Sequence, residues 1–261
     1  MSIFYIPSDY QEINYTNNDF IPMDATQIIL PQNLEKIGMG AFYDLKNLSQ
    51  ITIPDSVKDV ACNPFCDCEN LEAFYGKYAS EDHRCLIKDE VFISFAPKGL
   101  TKYTIPDGVT SICKYAFQNC TSLQKIIIPN GVKKIEQGAF TGCKNLLQVE
   151  LPDSIIEIEE RAFFNCASLQ SIIIPKGVKI IKESTFSFCE NLSQVVLPDT
   201  LLSIESLAFF GCRINDCHIP ESVQFVDESA FADYNYKPSH NPYEMSFNEF
   251  ESFLSNLTSS K

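Results

Sequence analysis

A chain of 261 residues with a formal net charge of −14 and 45% apolar residues fits one extended domain better than two globular ones. Its acidity argues against the basic surface that nucleic-acid recognition needs. No run of 18 apolar residues occurs, so no membrane-spanning helix is expected.

The chain opens at Met1 to Pro7 without the basic start and long apolar stretch of a signal peptide. Two origins fit: an intracellular protein, or one whose leader has been removed. Ile6-Pro7 and Ile13 then stand where later repeats carry Leu30-Pro31 and Ile37, one residue out of step and with Phe20 displaced. Residues 1–24 therefore read as a modified coil serving as an N-terminal cap.

From 25 to 234 one 23-residue pattern recurs, clearest from Leu123 to Asn145. Its index is a proline closing a short apolar run: Pro31, Pro54, Pro106, Pro129, Pro152, Pro175, Pro198 and Pro220. Eleven residues after each stands a phenylalanine: Phe42, Phe65, Phe117, Phe140, Phe163, Phe186, Phe209 and Phe231. Three residues further on, six coils carry cysteine: Cys68, Cys120, Cys143, Cys166, Cys189 and Cys212. A period of this length marks a solenoid, because one coil cannot cover its own apolar side and must stack.

Within a coil, Ile126 and Ile128 face inward and Ile127 outward, the alternation of a half-buried strand. Pro129 offers no N–H to a ladder and ends the pairing. Asn130-Gly131 is turn chemistry. Val132 and Ile135 return the chain to the core, and the segment ending in Ala139-Phe140 is expected to make one helical turn before Cys143.

The register is interrupted once, between Pro54 and Pro106. Here Cys85-Leu86-Ile87 and Val91-Phe92-Ile93 flank the polar Lys88-Asp89-Glu90, the pattern of a β-hairpin. Residues 76–99 are expected to project from the stack and leave it uninterrupted. Beyond 234, breaks at Pro238 and Pro242 precede Ser246-Phe247-Asn248-Glu249, a capping box. Phe247, Phe250, Leu254 and Leu257 follow at helical spacing, so residues 235–261 read as a C-terminal cap with a helix over 246–257.

Written out, the repeat is L-x-x-I-x-I-P-D-x-V-x-x-I-x-x-x-A-F-x-x-C-x-N/S-L. It resembles the BspA-type leucine-rich repeat over about residues 25–234, and the insertion from Tyr75 to Pro97 is similar to the hairpin interrupting many such proteins of Bacteroides-like gut bacteria. The resemblance implies a curved, right-handed leucine-rich-repeat solenoid, mainly β, acting as a surface-associated binding or adhesion module. Two departures stand out. The last coil is one residue short around Arg213-Ile214, and Asn63-Pro64 replaces the usual residue and Ala before Phe65.

Eleven cysteines raise the question of metal or disulfide. Six in one column behave as small buried apolar side chains, and Cys85, Cys113 and Cys217 sit at apolar-pattern positions. Reduced structural thiols are expected throughout. Cys62, Cys66 and Cys68 lie close in sequence, but without a second pair or a nearby histidine no zinc and no cofactor are expected. His83, His218 and His240 are isolated from any catalytic spacing, pairs such as Asp153-Ser154 recur with the turn, and no Gly-rich phosphate loop occurs. The chain is not expected to be an enzyme. Asn14, Asn47, Asn119, Asn191 and Asn256 head Asn-x-Ser/Thr triplets that arise mostly from the repeat itself.

Function then rests on surface. The outward strand positions are Ile29, Thr52, Thr104, Ile127, Glu150, Ile173, Val196 and His218, beside Gln27, Gln50, Lys102, Lys125, Gln148, Ser171, Gln194 and Asp216. Aliphatic groups flanked by hydrogen-bonding ones suit a protein partner, although β-branched residues are favoured on strands wherever they face. The candidate contact set is Lys125, Ile127, Gln148, Glu150, Ser171, Ile173, Gln194 and Val196 on the concave sheet of a monomeric module. The expected ligand is a protein, with host extracellular proteins among the candidates, met at the cell surface or after secretion; the cytoplasm is the alternative. Two other readings stay open: a structural spacer or repeat segment of a larger protein, and a glycan-binding domain using Tyr75, Tyr78 and Tyr103.

Overall fold

The structure, a computed structural model, describes residues 2–214 and 217–232. Neighbouring coils pair in parallel within each sheet, and the register reproduces the sequence period: Lys125 faces Gln148, Ile126 faces Val149 and Ile127 faces Glu150. The N-terminal segment joins the stack with one extra residue, since Ile3 pairs with Gln27. Its Phe20 lies off the phenylalanine column and packs on Phe4 and Tyr10, at 6.0 and 4.6 Å between ring centres.

Two ladders run along the molecule. The first holds the strands Ile3–Tyr5, Gln27–Ile29, Gln50–Ile53 and Ala73–Gly76, then Lys102–Thr104, Lys125–Ile127 and Gln148–Glu150, then Ser171–Ile173 and Gln194–Val196. The second is built from two-residue strands such as Lys134–Ile135 and Glu157–Ile158, whose isoleucines are buried.

The third side departs from expectation. No helix occurs among the described residues. The residues two before and two after the phenylalanines from Phe42 to Phe209 adopt positive φ: Gly138 and Gly142 around Phe140, Arg161 and Asn165 around Phe163, Ser184 and Phe188 around Phe186. Alternating handedness breaks a helix, which needs consecutive right-handed residues. It turns alternate N–H groups toward the next coil instead. Arg161, Phe163 and Asn165 donate to the carbonyls of Glu183, Thr185 and Ser187 at 3.1, 2.9 and 2.8 Å. Left-handed non-glycine residues cost roughly 1–2 kcal/mol each, and this third ladder of inter-coil hydrogen bonds offsets that cost.

Inside, the phenylalanines stack. Phe140, Phe163, Phe186 and Phe209 are buried, with ring centres 5.1, 5.4 and 5.3 Å apart and planes within 5°. The cysteine column explains itself chemically: Cys143, Cys166 and Cys189 each place Sγ 3.0–3.2 Å from the carbonyl of the phenylalanine one coil back, where the thiol donates a weak hydrogen bond. Burial pushes the Cys143 thiol up to about 12.

The hairpin does not project. Cys85–Lys88 and Val91–Phe95 pair antiparallel, and Val91 and Phe92 then pair in parallel with Ser111 and Ile112, so the hairpin is the end of a five-stranded sheet. It is an element of the stack. Leu86, Ile93 and Ala96 join the core of the N-terminal coils, while Cys85, Phe92 and Phe95 join the core of the later ones. The physical reason lies in residues 91–95: with Phe92, Ile93, Ser94 and Phe95 all buried, both faces of the strand are covered. Asn63 is the accommodating residue. Its backbone N–H donates to Ile93 O at 3.1 Å, its Oδ1 accepts from Ser94, and its Nδ2 donates to Tyr115 O at 2.6 Å.

One expectation about the thiols also fails. Cys62 and Cys113 form a disulfide with a Cα–Cα distance of 5.7 Å, bridging 51 residues across the docked hairpin. The extra strand carries Cys113 opposite Cys62, a proximity no local pattern encodes. The other cysteines remain thiols. The helix expected over 246–257 lies outside the described residues.

Candidate functional site

The outer face of the first ladder carries the outward side chains of the alternation from Gln27 and Ile29 to Gln194 and Val196. Gln148, Glu150, Ser171, Ile173, Gln194 and Val196 are exposed, and Lys125 and Ile127 are half-buried. Ser171 and Ile173 lie in register with Gln194 and Val196. Ile173 and Val196 are 68% and 56% exposed, far above what a side chain retains in a packed site.

The face is less uniformly apolar than its composition suggested. Glu150 stands between Ile127 and Ile173 and forms an ion pair with Lys125, whose side chain and charge hold the Glu150 carboxyl below its ordinary range. On this side of Glu150 the continuous apolar stretch is therefore Ile173–Val196. At the other end the column gains two aromatics outside the eight indexed coils: Tyr5, 67% exposed and in register with Ile29, and Tyr75, in register with Thr52. The alignment of Ile6-Pro7 with Leu30-Pro31 was the signal that could have placed Tyr5.

The second ladder is different in kind. Along it and the residues that follow it, Glu12 pairs with Lys36 at 3.2 Å, Asp59 with Lys88 at 2.7 Å, Lys134 with Glu157 and Glu159 at 2.8 Å each, and Lys182 with Glu159 at 2.7 Å. That face satisfies its charges between coils.

The aromatics proposed for sugar stacking separate. Tyr103 is 6% exposed, with its hydroxyl 3.4 Å from Cys85 Sγ, and Tyr78 turns its hydroxyl to the carbonyls of Val57 and Lys58. Tyr75 stays accessible, 4.7 Å from the His83 ring. Of the sulfur cluster, Cys62 is engaged with Cys113, while the Cys68 thiol donates to Phe42 O at 3.0 Å and the Cys66 thiol is pushed up to about 12, chiefly by burial. Glu136 lies near the disulfide, but both of its sulfurs are spent as ligands. Asp216 and His240 lie outside the described residues, and no helix of the described chain is long and apolar enough to cross a membrane.

Parallel coils stacked in register define a repeat solenoid. The chain belongs to the BspA type leucine rich repeat family, whose model matches in six copies over residues 11–83, 86–137 and 110–237. It is similar in fold to a leucine rich cell surface protein from Faecalibacterium prausnitzii A2-165 (TM-score 0.71, 24% identity), covering 91% of this chain and 61% of that one. A leucine-rich repeat protein from Eubacterium ventriosum superposes with a TM-score of 0.67 at 21% identity, over 95% of this chain and 80% of that one. This chain thus spans about three-fifths of the first neighbour's length. No curated protein matches it.

Proposed function

We propose that this chain is a non-enzymatic protein-binding module that presents the outer face of its first ladder to a protein partner at the cell surface. The observation that carries the reading is the pair Ile173 and Val196, which lie side by side on the first ladder and are 68% and 56% exposed. Contiguous exposed apolar area rimmed by polar groups suits an interface. The surface setting is supported by the description of the Faecalibacterium neighbour as a cell surface protein. Because the chain spans only part of that neighbour, a repeat segment within a larger protein is the second reading.

The test replaces Ile127, Ile173 and Val196 together by Thr, which keeps strand propensity and removes apolar contact area. Affinity for a partner captured from host extracellular proteins and glycans is expected to fall at least about tenfold, equivalent to about 1.4 kcal/mol, with the melting curve little changed. Undiminished binding by the triple variant would move the site off this face.

A further inference from the structure

Between the N-terminal coil and the next, away from the outer face of the first ladder, lies a cleft of about 380 Å3. Phe42, itself buried, contributes to its lining, and the accessible lining includes Tyr15, Tyr43, Met23, Asp19 and Asp44. Three of the large apolar side chains exposed on this protein meet here: Tyr15 is 63%, Met23 56% and Tyr43 42% accessible. The two tyrosine rings are 6.0 Å apart and nearly perpendicular at 79°, so one presents its edge to the other.

The electrostatics of the cleft are negative. The Asp67 carboxylate, followed by burial and Asp44, holds the Tyr43 phenol above its ordinary value. Lys46 approaches Asp44 at 3.3 Å with its side chain 58% exposed. Exposed Asp19 adds a further charge on the rim.

We propose that this cleft is a second binding site, separate from the ladder face, which takes an arginine or lysine side chain of a basic protein segment. A cation is attracted to the π face of a tyrosine and gains from a neighbouring carboxylate. Its methylene stem lies on apolar surface while its head stays polar. A chain of net charge −14 attracts such a segment from a distance.

The probe is the capped tripeptide acetyl-Gly-Arg-Gly-amide, set against its citrulline counterpart, which keeps size and planarity but carries no charge. Ring signals of the full chain labelled at tyrosine are followed by NMR, with Tyr15→Phe and Tyr43→Phe assigning the two resonances. Saturable shifts are expected at Tyr15 and Tyr43, with binding at least about fivefold weaker for the citrulline peptide. Binding of the arginine peptide should weaken by a similar factor in Asp19→Asn and in Tyr15→Leu. Both variants change exposed side chains, and an unaltered melting curve verifies that they fold. Equal binding of the two peptides overturns the proposal in favour of a charge-indifferent apolar pocket. Shifts that are absent, or that spread over the other tyrosines and ignore both variants, overturn it as general attraction to an acidic chain.

Discussion

Phe92→Ala separates a docked hairpin from a projecting one. Phe92 is fully buried, its ring 4.7 Å from Phe117 at 16° and 6.4 Å from Tyr103. Deleting such a ring removes its transfer free energy and leaves a cavity, a loss of about 3–5 kcal/mol. The upper half of that range is expected, because the hole opens between strands held by the register of Phe92 with Ile112 and cannot collapse without breaking it. At roughly 2–4 °C per kcal/mol for a domain of about 150–250 residues, the melting midpoint should fall by about 8–20 °C. The assay is thermal unfolding followed by far-ultraviolet circular dichroism, with Glu81→Ala on the exposed part of the insertion as control, expected within about 0.5 kcal/mol of the parent. An unchanged midpoint in Phe92→Ala would refute the docking, and so would cooperative folding of a chain in which residues 76–99 are replaced by a short turn.

Phe163→Ala, which opens the ring column between Phe140 and Phe186, should cost about 3–5 kcal/mol in chemical denaturation, whereas Phe164→Ala, half-buried on the flank, should cost clearly less. Under oxidising conditions Cys62→Ser should lower stability by about 2–4 kcal/mol, and a reductant should lower the parent's midpoint but not the variant's; a parent indifferent to reductant would mean the bridge is not formed. The Cys143 thiol titrates at about 12 when folded and near 9 when ordinary, so above pH 9 the unfolded chain holds fewer protons and stability falls as pH rises toward 12. Cys143→Ala should flatten that alkaline decline by about 1.4 kcal/mol per pH unit, and parallel stability curves for parent and variant would contradict the burial of this thiol.

The stack itself was written in the chain. Because each coil touches mainly the next, a short pattern repeated in register carries its own long-range instruction, and Ile126, Ile128, Phe140 and Cys143 are buried where the period put them. The outward columns followed from the same alternation, so the positions of Ile173 and Val196 needed no tertiary information. What the period did not contain, only packing decided. The hairpin looked like an exposed one because its two short apolar runs do not say whether a second core covers Phe92 and Ile93. Cys62 meets Cys113 because the docked insertion leaves their coils in contact on this side, a contact over 51 residues with no local trace. The handedness around Phe163 and Phe186 falls on Arg161 and Ser184 as readily as on Gly138, since the hydrogen bonds between coils impose it and the side chain does not. The Tyr15–Tyr43 cleft likewise joins an irregular cap to a regular coil, and its geometry exists only where the repeat is broken.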